Sequence, residues 1–228
     1  MAAKLSKQEL KGPDIFQSTF ERIVDYISEN TTRFYVIIAS IVVALTIAFG
    51  IYLYWNNYQT SAAEIYAKAQ ESMTRGAQTR SPELIKESIK MYKELIDKYP
   101  NSWSAQMARY HLGNIYYHTG QIDNAISSYK DFVSSAKSDD NGLKFLALTS
   151  LGYCFENTKD IKGALSYFED AQKASKPGFE SIAFRNIARI YEQLNDKKKA
   201  LENYQNALPL TTDPSMIIFI KRKISSLS

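Results

Sequence analysis

The stretch ARYHLGNIYYHTGQIDNAISSYKDF, residues 108–132, decides how this chain is built, because its pattern returns twice. The counterparts are ALTSLGYCFENTKDIKGALSYFEDA at 147–171 and AFRNIARIYEQLNDKKKALENYQNA at 183–207, starting 39 and 36 residues further on in turn. A small residue recurs at Gly113, Gly152 and Ala188. Leu112, Leu151 and Ile187 precede it, and Tyr116, Phe155 and Tyr191 follow three positions later. Alanine comes back at Ala125, Ala164 and Ala200, with an aromatic four positions on at Tyr129, Phe168 and Tyr204. Apolar residues at helical spacing within a period of this length describe a pair of antiparallel helices. The small residues let the two backbones approach, and the rings with Leu or Ile fill the space towards the next pair. Each pair leaves an apolar face open, so only stacking completes the core.

Working outward, a partial unit precedes the three. Pro82 opens a helix carrying Ile85, Ile89, Tyr92, Leu95 and Ile96, closed by Pro100. Its partner runs from Ser61 to about Gly76, with an insertion expected around TRGAQTRS at 74–81. After the last unit, Asp213-Pro214 starts one more helix. Met216, Ile217, Ile220, Ile224 and Leu227 form its apolar stripe, with Lys221, Arg222 and Lys223 expected on a solvated face. A helix with one apolar face is suited to cap an open-ended stack.

Composition agrees with helix throughout. Among 228 residues there are only 6 prolines and 9 glycines, the residues that break helices. The net charge of +4 comes from 28 basic and 24 acidic side chains, interspersed rather than gathered into a stripe. That leaves no electrostatic footprint for nucleic acid. The single cysteine, Cys154, cannot form an internal disulfide and falls in an apolar helical pattern, so it reads as a small buried residue. His111 and His118 lie seven apart on one helix, too far to share a metal without other ligands. No Gly-rich phosphate loop, nucleophile elbow or zincin motif is present. We therefore expect no enzyme, no cofactor, no metal and no small-molecule substrate.

The other decisive stretch is FYVIIASIVVALTIAFGIYLYW, residues 34–55, which holds no charge. At 1.5 Å per residue it spans a hydrocarbon core of about 30 Å. Phe34 and Tyr35 at one end and Tyr52, Tyr54 and Trp55 at the other match the aromatic belts of membrane interfaces. More than thirty residues precede it and NNYQ follows, unlike a cleaved signal peptide. Arg33 abuts the run, whereas the first basic residue beyond it is Lys68, so the positive-inside rule puts the N-terminus in the cytoplasm. Ser40, Ala44 and Ala48 form a small-residue stripe expected to contact another membrane helix. Ile15, Phe16, Phe20, Ile23, Val24 and Ile27 recur at helical spacing after the start signal Pro13-Asp14, giving a short amphipathic helix. The expected organisation is a cytoplasmic segment at 1–33, a membrane helix at 34–55 and a repeat domain at 56–228.

The Leu-Gly-x-x-Tyr pattern of the first helices, and the alanine and aromatic of the second, resemble the tetratricopeptide repeat family, together with the closing prolines at Pro177 and Pro214. The match covers roughly residues 60 to 212 and departs at Phe132, where the family usually has a small residue. The resemblance implies an all-α fold: a right-handed solenoid of three to four helix pairs plus a capping helix, binding other proteins. With its anchor and its KLSKQELKGPDIF leader, the chain also resembles bacterial inner-membrane proteins of the YfgM type. That likeness implies a periplasmic repeat domain, association with the Sec translocon (SecYEG) and a membrane-anchored periplasmic chaperone, and help to secreted or outer-membrane proteins. The phrase LIDKYPNSWSAQMARYHLG resembles outer-membrane assembly lipoproteins and cell-envelope coordination proteins, though no cysteine for lipidation follows the apolar run. Envelope or cell-division scaffolding and a cytoplasm-facing adaptor thus stay open as alternatives.

In this family the first helix of each pair lines the binding groove. The expected groove residues are Met107, Tyr110, Asn114 and Tyr117, then Leu146, Thr149, Tyr153 and Glu156, then Ile182, Arg185, Arg189 and Glu192. Tyr and Arg favour binding hot spots, and Asn114 can bond a peptide backbone. The basic clamp some relatives use for acidic carboxyl-terminal peptides is not reproduced, since Leu146 and Ser150 stand where Lys and Asn would be needed.

Overall fold

The computed structural model describes residues 15–136 and 142–228, and every regular element among them is helical. The chain divides into two units, Met1–Asn57 and Tyr58–Ser228.

In the first unit, α1 spans Ile15–Glu29 and α2 begins at Thr31. The Pro13-Asp14 start signal lies outside the described residues, as do the side chains of Ile15, Phe16, Phe20 and Ile23. From Tyr35 to Trp55 every side chain is exposed. Its serine and its threonine are satisfied within the helix, Ser40 donating to the Val36 carbonyl and Thr46 to that of Val42, each at 2.8 Å. A helix that bonds its own backbone groups and its short hydroxyl side chains is the form an apolar medium requires. Length and apolar composition suffice to cross a membrane.

The second unit holds the rest of α2, which ends at Thr79, followed by α3 (Pro82–Lys98), α4 (Trp103–His118) and α5 (Ile122–Ser135). Then come α6 (Leu143–Asn157), α7 (Ile161–Lys173), α8 (Glu180–Gln193), α9 (Lys197–Ala207) and α10 (Pro214–Leu227). From α3 onward each helix packs on the next in chain order, through α9 to α10. The stack is four hairpins and a terminal helix.

The hairpins share one turn. Arg80, Gly120, Lys159 and Asn195 all adopt left-handed backbone, with φ of 54°, 75°, 67° and 60°. The next residue's N–H reaches back five positions: Ser81 to Gly76, Gln121 to Tyr116, Asp160 to Phe155 and Asp196 to Tyr191, at 2.8–2.9 Å. This 6→1 bond satisfies a carbonyl the helix end would otherwise leave orphaned. In three of the four hairpins the same following residue caps the second helix, Ser81 bonding Leu84 N–H, Asp160 bonding Gly163 N–H and Asp196 bonding Lys199 N–H. One short motif therefore closes the first helix and opens the second.

These turns correct the expected first unit. Residues 74–79 are not an insertion but the last turn and a half of α2, and Arg80 makes the same turn as its three counterparts. Turn residues fall 40, 39 and 36 apart, so the first pair keeps the period.

The small positions serve a more specific purpose than close backbone approach. A Cβ on Gly113 would lie 2.5 Å from the Tyr129 ring, and one on Gly152 2.6 Å from the Phe168 ring. Each glycine is the seat for an aromatic from the second helix. Those rings are almost completely buried, as is Tyr204, which sits in the same register opposite Ala188. Phe132, the departure from the family pattern, is also buried and packs on the Tyr110 ring at 5.4 Å. Cys154 lies in the core, where burial pushes its thiol up to about 11.

Candidate protein-binding face

The site is the face made by the first helices of the hairpins, with α10 taking the next place in the row. Polar side chains strap these helices together. Tyr66 of α2 shares a hydrogen bond of 2.8 Å with His111 Nε2 of α4. The Tyr153 hydroxyl of α6 donates to Asn186 Oδ1 of α8 at 3.0 Å, and Arg189 of α8 pairs with Glu156 of α6. Gln193 Nε2 also donates to Glu156, and the Arg189 guanidinium lies 5.6 Å over the Tyr153 ring. Lys223 Nζ of α10 donates to Glu192 Oε2 of α8 at 2.7 Å. The Tyr204 hydroxyl donates to the other Glu192 oxygen.

Of the twelve expected groove residues, two are placed elsewhere. Met107 and Thr149 are only 6% and 7% exposed and belong to the core. A fixed offset along one helix gives a residue's direction but not how far its neighbours cover it. The other ten are partly exposed. Among these, Tyr110 packs against the Tyr129 and Phe132 rings, and Leu146 and Ile182 pack on the main core, so these three build the wall. Asn114 accepts a 2.7 Å bond from the Tyr129 hydroxyl.

The rest converge. Tyr117 lies within electrostatic range of Tyr153, Glu156 and Arg189, which brings three successive first helices to one polar patch. Burial raises the Tyr117 hydroxyl above its ordinary value. For Glu156, burial pushes the carboxyl up, but hydrogen bonds from Arg189 and Gln193 outweigh it and hold the group below the usual carboxylate range. Burial lowers His111, leaving it neutral beside Tyr66 and stacked on Tyr92. Arg185, Asn186, Arg189 and Tyr204 line a cleft of about 210 Å³ closed by Met216 and Phe219 of α10.

The structure adds a residue that the offset rule missed. Gln193 falls outside the four positions counted from the small residue, yet it is exposed and bonds Glu156, while Asn186, buried like Thr149, supports Tyr153 from beneath the face. Lys223 is turned in towards Glu192 rather than lying on a solvated face, while Lys221 and Arg222 are exposed. A cap that continues the row must answer the charge of the helix before it, and Glu192 was the legible signal. Among the described residues no three His, Cys, Asp or Glu side chains are grouped to hold a metal.

Stacked helical hairpins with a polar, partly exposed first-helix face define a protein-interaction scaffold. Comparison with known proteins identifies the kind: residues 30–228 match the tetratricopeptide repeat-like domain, and the chain belongs to that family. It is 26% identical over 167 residues to anaphase-promoting complex subunit 3 of Schizosaccharomyces pombe, covering 73% of this chain and 21% of that protein. The chain thus spans about a fifth of the length of that relative. Among solved structures, MamA of Desulfovibrio magneticus is similar at a TM-score of 0.54 and 20% identity, covering 73% of this chain and 88% of that one. PilF of Pseudomonas aeruginosa is similar at a TM-score of 0.54 and 16% identity, covering 73% and 69%. At such identities these likenesses speak for the fold alone.

Proposed function

We propose that this chain is a single-pass inner-membrane protein of bacteria that holds a tetratricopeptide scaffold at the periplasmic surface. There it acts as an ancillary factor of the Sec translocon, passing secreted or outer-membrane proteins to periplasmic chaperones. The carrying observation is the charge-free run Phe34–Trp55, which forms helix with its apolar side chains exposed from Tyr35 onward. Water does not tolerate an apolar surface of that extent, whereas a bilayer requires it. The family match begins at residue 30, so its range takes in this run. Ser40, Ala44 and Ala48 offer the close-packing stripe for a translocon helix. The same fold would serve an envelope-assembly scaffold or a cytoplasmic adaptor, and topology separates the last from the others.

Cysteines placed at the exposed positions Glu21 and Ser166 test it, because Cys154 is buried and silent. An impermeant reagent applied from the periplasmic side is expected to label S166C and spare E21C. The reverse pattern makes the chain a cytoplasm-facing adaptor. A photo-crosslinker at Ala44 should then capture a translocon subunit, and capture of envelope-assembly proteins instead would favour the second reading.

A further inference from the structure

The cleft between α8 and α10 carries more hydrogen-bond donors than the fold itself satisfies. Asn186, which lines it, is only 7% exposed; its Oδ1 accepts from Tyr153, but its Nδ2 has no partner among the described residues. Arg189 gives Nη1 to Glu156, and its buried Nη2 is likewise without a partner. Arg185 donates Nε to the Ser181 carbonyl at 3.3 Å, and no carboxylate among the described residues pairs with it. Both arginines lie within electrostatic range of the Tyr204 hydroxyl, so they converge on one place. The carboxylates nearby are already committed. Glu156 holds Arg189 and Gln193, while Glu192 accepts from Tyr204 on one oxygen and from Lys223 on the other. In this cluster the excess positive charge therefore falls on Arg185.

A buried donor without a partner is costly, so a site that keeps two of them beside an uncompensated cation is built for an acceptor from outside. Its other wall is apolar. Met216 and Phe219 close the cleft, and the Phe219 ring is 43% exposed and stands edge-on to Tyr204 at 6.3 Å. We infer that this cleft is a docking site for an acidic side chain of a partner protein, a glutamate or aspartate flanked by apolar residues. The carboxylate takes the free donors of Arg185, Asn186 and Arg189, and an apolar neighbour lies on Met216 and Phe219. Hydrogen bonds from a guanidinium to a carboxylate are among the strong ones. A side chain suits the site better than a chain terminus, because it brings acceptor oxygens alone. A terminal carboxylate would carry its own backbone N–H to a floor already rich in donors. A volume of about 210 Å³ admits a side chain and not a folded element. The inference needs only that the scaffold binds proteins, on whichever side of a membrane it stands.

Short peptides titrated calorimetrically into the full chain in detergent, with the heat of empty micelles subtracted, test it. The probes are GSLELSG and GSLQLSG, both acetylated and amidated, and acetylated GSLQL with a free carboxyl end. The parent is expected to bind GSLELSG about tenfold more tightly than GSLQLSG. R185Q should erase that preference. So should N186D, which keeps an acceptor for Tyr153 but gives the arginines a carboxylate of the chain's own. K68Q, which removes an exposed cation of α2, should leave the preference intact. No binding, equal binding of the first two peptides, or a preference that survives R185Q and N186D overturns the inference. A loss as large in K68Q shows general attraction between charges and overturns it as well. Tightest binding of the free-ended peptide assigns the cleft to a chain terminus and overturns the side-chain reading. None of these outcomes bears on the anchor or the translocon, which the labelling and crosslinking at other residues decide.

Discussion

The first hairpin and the three that follow reach the same fold through opposite choices of side-chain size. Four residues before the left-handed turn, the regular pairs carry a large ring, at Tyr116, Phe155 and Tyr191. Five residues after it they carry alanine, at Ala125, Ala164 and Ala200. In the first pair those offsets hold Gly76 and Ile85, so the small residue has moved to the first helix and the large one to the second. Gly76 accepts Ile85 closely: a Cβ there would lie 3.1 Å from both the Ile85 side chain and its backbone nitrogen. What the fold fixes is the summed volume across the helix–helix contact, and either helix can supply it. The contacts also differ in closeness, since a Cβ would lie 2.5–2.6 Å from the rings at Gly113 and Gly152 but 3.1 Å from its neighbours at Gly76.

That contrast can be broken by substitution, most severely in the regular pairs. G152L would drive a branched side chain into the buried Phe168 ring, and should cost about 3 kcal/mol or abolish cooperative unfolding. Urea denaturation followed by circular dichroism measures it, and a stability within error of the parent would refute the ring-seat account. Single-carbon changes compare the two kinds of seat. G113A puts its Cβ against the rigid Tyr129 ring and should lose about 2 kcal/mol. For G76A, the gain of replacing a helical glycine, about 1 kcal/mol, opposes a milder clash, so its effect should stay within about 1 kcal/mol of zero.

The turns sharpen the comparison further. Gly120 occupies the left-handed position at no steric cost, whereas Lys159 does so with a Cβ. K159G should raise stability by about 1 kcal/mol, read as an increased midpoint of denaturation. The smallest expected effect concerns the polar straps, which the first hairpin makes with a neutral Tyr66–His111 bond and the later ones with ions. The Glu156 carboxyl is held below its unfolded value, so its contribution is present above the unfolded carboxylate range and lost as pH falls through the folded value. Because the pair is partly solvated, E156Q should cost less than about 1 kcal/mol at neutral pH. Between pH 7 and pH 3 the variant should lose less stability than the parent.

Much of the fold was legible because the three regular hairpins repeat their small and aromatic residues at fixed offsets, which few other arrangements would explain. The first hairpin was only half legible, since its swapped sizes hid the register and made the end of a helix look like an insertion. Site residues were readable as a face but not individually. Position along one helix says which way Met107 or Thr149 points, not which neighbouring hairpin will cover it.

By itself, then, the sequence determined the helical pairs, their order and the charge-free run, because these follow from local periodicity and composition. Only the tertiary structure decided that the glycines seat rings, that Gly76 and Ile85 exchange roles, and that Lys223 answers Glu192 across the last two first-position helices. Those outcomes depend on volumes and charges from segments distant in the chain, and no local pattern encodes which of them will meet.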